Sequence, residues 1–205
     1  MRTAEIERNT KETKIKCNLN LDGSGLITVS TKIGFFDHMI NTLAKHAGFD
    51  LDFSCDGDVS VDMHHTVEDS GIVLSEALYK ALGDRIGIAR YQSFTMAMDD
   101  ALVMCAIDIS NRAYYESDAK FERDLVGEFE TQCVDEFFKS FSDNAKINLH
   151  FVVLRGTNAH HIIEAMFKSL AKCIKDSIKI DPNMKGSLTT KGVLWELLLI
   201  MVLGI

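Results

Sequence analysis

His64-His65-Thr66-Val67-Glu68 returns 96 residues later as His160-His161-Ile162-Ile163-Glu164, and this repeat governs how the rest of the chain is read. Downstream of the first copy, Val67, Ile72, Leu74, Ala77, Leu78, Ala81 and Leu82 recur at helical spacing up to Gly83, which predicts a helix over His64 to Leu82. The second copy opens a matching helix over Ala159 to Ile178. Upstream of the first copy, Phe36, Met39, Ile40, Leu43 and Ala47 form another helical stripe stopped by Gly48, and Phe49 to Cys55 alternates as a strand. Before these, Lys14 to Leu21 and Leu26 to Lys32 flank Asp22-Gly23-Ser24-Gly25 and predict a β-hairpin, whose glycines make a turn rather than a nucleotide-binding loop. Upstream of the second copy, strands are predicted at Ser93 to Met98, Ala101 to Ile109 and Ile147 to Leu154, with a helix around Val134 to Phe141. His150 reads as a packed structural histidine in the last of these strands.

No proline-, serine- or glycine-rich linker separates the halves. The expected fold is therefore α/β, an α+β sandwich of two pseudo-symmetric duplicated halves, each a β-sheet packed against helices. A single domain over residues 1–194 would be built from repeats at about 1–88 and 91–180, followed by a tail, 195–205, with no assignable role.

Composition bounds the function. The chain has 205 residues, a formal charge of −8 and 46% apolar side chains, enough to bury a core without disulfides or a structural metal. The acidic balance argues against nucleic acid as a partner, because a phosphate backbone is met with clustered Lys and Arg. Cys17, Cys55, Cys105, Cys133 and Cys173 lie at least 28 positions apart, so neither a zinc ribbon nor a dithiol motif is present and they read as small buried side chains. The charged N-terminus, MRTAEIERNTKETKIK, lacks the apolar core of a signal peptide and predicts a cytoplasmic protein. The apolar run Val193 to Ile205 contains Glu196 and falls short of the ~20 residues that span a bilayer, so no membrane association is expected.

The HHxxE strings carry the chemistry. On a helix, residues i and i+4 share a face, so His64 can join Glu68 at one cation while His65, about 100° round the helix, addresses another. Imidazole with carboxylate suits Mn, Fe, Zn, Co or Ni, and the lack of thiolates argues against a structural zinc site. A twofold repeat would place both strings around one shared dinuclear centre. The motif differs from the HExxH of zinc proteases, whose middle glutamate is a base. Here the terminal glutamate has the ligand spacing.

FFDHM at Phe35 to Met39, KHAGFDL at Lys45 to Leu51, HHTVEDSG at His64 to Gly71, SNRAYY at Ser110 to Tyr115, HHIIEAMFKSLAK at His160 to Lys172 and TKG at Thr190 to Gly192 resemble imidazoleglycerol-phosphate dehydratases of histidine biosynthesis. The resemblance runs from about Arg2 to Leu194. It implies a ribosomal protein S5 domain 2-like fold, a hydro-lyase that converts D-erythro-imidazole glycerol phosphate to imidazole acetol phosphate, two Mn2+ per active site, and a homo-oligomer, an octahedral cage with active sites at subunit interfaces. The metal ligands it implies are His38, His64, His65, Glu68, His160, His161 and Glu164. Where some members carry histidine before FF in the third helix, this chain has Glu136, 24 residues before His160, as His38 stands 26 before His64. Glu136 is thus the pseudo-symmetric mate of His38, and a carboxylate can replace imidazole at a borderline ion.

For the substrate phosphate the resemblance implies Arg90, Arg112, Lys168 and Lys191, with Thr189 or Thr190 and His46 nearby; forked guanidiniums suit phosphate oxygens. Thr42 stands where members often carry Gln, and Thr189-Thr190 where Ser-Ser is usual. The carbon that loses its proton is not next to a carbonyl, so the imidazole ring must supply the driving force, which divalent cations at its nitrogens would provide. Candidate proton acceptors are Glu164 and Glu68, with Glu12 near the substrate hydroxyls and Asp99 an outside candidate. Two other classes fit the ligand set, a dinuclear metallohydrolase of a phosphorylated small molecule and a non-catalytic metal-binding protein.

Overall fold

A computed structural model describes residues 1–184, Gly186, Leu188 and Thr189. Its elements run β1 (Thr3–Asn9), β2 (Thr13–Asn20), β3 (Ile27–Ser30), α1 (Gly34–Ala47), β4 (Asp50–Gly57), α2 (His64–Leu82), β5 (Tyr91–Met98), β6 (Ala101–Asp108), β7 (Tyr114–Ser117), β8 (Leu125–Val126), β9 (Phe129–Glu130), α3 (Cys133–Ala145), β10 (Asn148–Arg155) and α4 (Ala159–Ser177). The tail and the Thr190 and Lys191 expectations lie outside the described residues.

The two main sheets repeat one plan. The first has the order β1-β2-β4-β3 and the second β5-β6-β10-β7. In each, two antiparallel pairings lead to a short edge strand that runs parallel to its neighbour, β3 along β4 and β7 along β10. Strict alternation explains why one face of each sheet is buried: Thr13, Ile15, Cys17 and Leu19 of β2 point inward, as do Ala101, Val103, Cys105 and Ile107 of β6.

One expectation fails here. Lys14 to Leu21 and Leu26 to Lys32 do not pair with each other. β2 pairs with β1, and β3 crosses to the far side of β4. The Asp50 carboxylate draws the connection across, its Oδ1 accepting from the backbone N–H of Ser24, Gly25 and Leu26 at 2.7, 2.9 and 2.9 Å. The charged N-terminus supplies β1, a sheet edge where the alternation of the chain keeps the charges outside. β7 carries too few residues to show a period.

Each half lends a helix to the other. α2 packs on α3, and α1 packs on α4. Gly71 allows the first contact: a Cβ there would lie 2.2 Å from Ser140 Oγ and 2.8 Å from the Phe137 carbonyl oxygen. Phe137, Phe138, Phe151 and Phe167 form the centre, with Phe137 stacked on Phe167 at 5.0 Å and Phe138 at 4.7 Å from both Phe151 and Phe167. All five cysteines are buried free thiols in this core. His150 is not packed: it sits on the outer face of β10, its ring stacked on Tyr114 at 5.3 Å. Among the described residues no helix is long and apolar enough to cross a membrane.

Candidate metal centres

Both HHxxE strings open their helices, and in each a side chain two residues before the first histidine accepts from its backbone N–H, that of α4 being the N-cap itself. Asp62 Oδ1 accepts from the His64 N–H at 2.8 Å, and Asn158 Oδ1 accepts from the N–H of His160 and His161 at 3.0 and 3.4 Å. Capping fixes where the imidazoles leave the backbone.

The helix pairing then builds two triads, each from both halves. His38 of α1 meets His160 and Glu164 of α4, and Glu136 of α3 meets His64 and Glu68 of α2; in each triad the ligand atoms lie within 4.8 Å of one another. In the first, Glu164 Oε2 is 3.2 Å from His160 Nε2 and 3.8 Å from His38 Nε2. In the second, His64 Nε2 is 3.7 Å from Glu68 Oε2. Glu136 occupies in the second triad the place His38 occupies in the first. Within one chain the two strings do not share a centre, because α2 and α4 pack on α3 and α1 rather than on each other's first turns. Phe35, 5.0 Å from the His160 ring and edge-on to it, steadies the first triad.

The second histidine of each string turns away from its triad. His65 Nδ1 lies 3.1 Å from Asp58 Oδ2, and its Nε2 is 3.9 Å from Glu12. His161 Nδ1 lies 2.6 Å from Asp100 Oδ1, and its Nε2 is 3.3 Å from Asp99. A carboxylate on Nδ1 orients the ring and leaves Nε2 as the donor toward a metal. Asp58 raises the His65 imidazolium above its ordinary value. Asp100 is held well below the usual carboxylate range by the Thr157 N–H, the His161 ring and the Asn158 N–H. Sequence reading missed Asp58 and Asp100; the available signal was an acidic residue shortly before one string and an Asp pair in the β5–β6 turn.

Glu164 is buried, which alone would raise its carboxyl. The Lys168 hydrogen bond and charge, with His38 and His160, bring it below its ordinary value. Lys168 Nζ sits 2.8 Å from Glu164 Oε1, leaving Oε2 to face the histidines. Burial, then Lys168 and Lys172, lowers His46.

The remaining predicted groups lie on connections at the edges of both sheets. Arg90 holds Asp108 at 2.7 Å through Nε, while its Nη1 donates to the Leu188 carbonyl. Arg112 is exposed on the turn after β6, where its carbonyl accepts from Asn148 Nδ2 at 2.8 Å. Glu12 is exposed at the β1–β2 tip, Asp99 at the β5–β6 tip, and Thr189 is half-buried.

The donor sets fit divalent cations. Imidazole and carboxylate atoms a few ångströms apart, with no thiolate, match ligands held about 2.0–2.2 Å from a borderline or hard ion.

Comparison with known proteins gives the family and the fold. Residues 31–174 match the family model described as imidazoleglycerol-phosphate dehydratase. The imidazoleglycerol-phosphate dehydratase of Lachnoclostridium phytofermentans is 50% identical over 191 residues, 93% of this chain and 97% of its own length. That of Oceanobacillus iheyensis is 50% identical over 194 residues, 95% of this chain and all of its own. Among solved structures, the Pyrococcus furiosus enzyme superposes with a TM-score of 0.80 at 33% identity, covering 92% of this chain and 100% of that one. The Staphylococcus aureus enzyme gives 0.76 at 28%, covering 87% and 99%. With a family model spanning most of its length and relatives half identical end to end, the chain belongs to the imidazoleglycerol-phosphate dehydratase family.

Proposed function

We propose that the chain dehydrates D-erythro-imidazole glycerol phosphate to imidazole acetol phosphate in histidine biosynthesis, using two divalent cations, with Mn2+ an ion that mixed imidazole and carboxylate ligand sets can hold. The observation that carries the reading is the pair of three-ligand triads, each assembled from both halves of a chain that belongs to this family. Bound cations would supply Lewis acidity toward the imidazole ring of the substrate.

The rest is the work of the chain's own groups. His38, His160 and Glu164 hold one ion; His64, Glu68 and Glu136 hold the other. His65 and His161, each pinned by a carboxylate on Nδ1, present Nε2 away from their own triads, which suits ligation in a neighbouring copy's site. This supports a homo-oligomer whose active sites are completed between subunits, in the octahedral cage expected for the family. Arg112, Arg90, Lys168 and Lys191, with Thr189 or Thr190 and His46, orient the phosphate, and Arg90 exchanges its Leu188 carbonyl partner for phosphate oxygen when it does so.

Proton removal needs a carboxylate within hydrogen-bond reach. Glu164, kept ionised by Lys168, is suited to ligation. Glu12, exposed beside His65, has its carboxylate open to a substrate hydroxyl or carbon-bound proton, with Glu68 and Asp99 as the other acceptors in reach of the strings.

The test is His64→Ala and His160→Ala, each in the assembled protein. Each variant is expected to lose about one bound ion per chain and at least 100-fold in ketone formation. Retained turnover with reduced metal content would overturn the reading, and release of inorganic phosphate without ketone would indicate a metallohydrolase.

A further inference from the structure

We infer that the two triads are unequal cation sites, His64–Glu68–Glu136 being the tighter and harder and His38–His160–Glu164 the weaker and more nitrogen-rich. The inference rests on the metal-binding reading above and goes beyond it.

Matching the repeats through their HHxxE strings and their triads shows the difference. The histidine and glutamate of each HHxxE string correspond, so they cancel. What does not cancel is the third ligand and the charge behind the glutamate. His38 in the first triad becomes Glu136 in the second. Lys168 lies 96 residues after Ile72, so the ammonium that grips Glu164 has an aliphatic side chain as its counterpart.

The consequences add. The first triad offers two neutral imidazoles and one carboxylate, and that carboxylate is shared with Lys168 at 2.8 Å in a setting where the two side chains are 9% and 19% exposed. Its ligand charge of −1 is therefore offset close by. Lys168 also occupies Oε1, which limits Glu164 to one oxygen for a cation. The second triad offers one imidazole and two carboxylates, a ligand charge of −2. Glu68 makes an ion pair only with His64 among the described residues, and Lys139, the nearby ammonium on α3, is engaged by Asp143 at 2.6 Å. His65 and His161 are held alike and do not restore the balance.

A unit charge a few ångströms from an ion, in a partly wet protein surface, changes its binding constant by at least about tenfold. Oxygen ligands favour Mn2+ relative to the later first-row ions, and imidazole favours Zn2+. The two sites should then differ more for Mn2+ than for Zn2+.

The experiment is a titration of chelator-stripped, assembled protein with Mn2+, free ion being read from its electron paramagnetic resonance signal. Two ions per chain are expected, one for each triad, the first bound at least about tenfold more tightly than the second. Lys168→Met should tighten the second step and leave the first unchanged. Glu136→His should weaken the first step toward the second, and repeating the titration with Zn2+ by competition should narrow the gap. Circular dichroism and sedimentation of each variant against the parent establish that it is folded and assembled, and the two variants probe separate sites, so either alone decides the matter. Two equal steps in the parent, or a second step that Lys168→Met does not move, would overturn the inequality while leaving the metal reading intact. Failure to bind either ion would overturn the metal reading itself.

Discussion

Asp100 shows how much one exposed carboxylate can organise. It accepts from the N–H of Thr157 and Asn158 at 2.8 and 3.1 Å and holds His161 Nδ1 at 2.6 Å, tying the β5–β6 turn to the start of α4. Asp100→Asn keeps the size but presents an amide that can donate to Nδ1, favouring the wrong tautomer. Turnover is expected to fall roughly 10- to 100-fold, with the melting temperature changed much less than by a core substitution. Parallel measurement of rate and thermal unfolding checks this. His64 with Glu68 and His160 with Glu164 were legible from the repeat because i and i+4 on a helix share a face, while His38 and Glu136, on other helices, were expected only through the family resemblance. Asp58 and Asp100 were not, since each reaches its histidine from a loop, and no period connects a loop carboxylate to a helix.

Elements bring the triads together. Had α2 and α4 packed on each other, the strings would have met in one chain; instead Gly71 lets α3 close on α2 and carries Glu136 to His64 and Glu68. Gly71→Ala would set a methyl 2.8 Å from a backbone carbonyl that cannot swing aside. It is expected to cost about 1–3 kcal/mol and to weaken cation binding at the second triad, seen by denaturant unfolding and metal titration. The two helices of the first half were legible almost to the residue, because apolar stripes and the terminal Gly48 and Gly83 mark them, whereas α3 runs four residues past the expected Phe141 and ends at its C-cap Lys146 with no glycine to mark the stop. The pairing of β2 and β3 was misread for an equally local reason: the turn residues look like a hairpin, and the deciding partner, Asp50, is 25 positions beyond Gly25. Its carboxyl lies below its ordinary 3.8, chiefly through the Leu26 and Ser24 N–H groups. A depressed carboxyl contributes stability that is complete above its ordinary value and is lost as pH falls through the lower folded one. Asp50→Asn should therefore destabilise the protein fully at neutral pH, and the gap to the parent should close as pH drops below 3.8. Urea unfolding at several pH values reads this directly.

At the scale of the molecule, two sheets of one topology enclose a shared aromatic core, and neither half holds a triad by itself. Phe137 links them, packed on Phe36 of the first half as well as Phe138 and Phe167 of the second. Phe137→Ala should cost about 3–5 kcal/mol and loosen both halves together, so that calorimetry shows one lowered transition rather than two. The overall charge of −8 gave a poor picture of local charge, because single cations are placed against carboxylates: Lys168 behind one triad and Arg90 on Asp108 of the second sheet. The central claim is that this framework performs a metal-dependent dehydration. Strip the assembled protein with a chelator, supply imidazole glycerol phosphate, and assay ketone and inorganic phosphate before and after adding Mn2+. The account predicts no ketone from the stripped protein and its formation on adding Mn2+, with phosphate retained on the product. Ketone formation indifferent to the metal, or phosphate release in its place, would contradict it.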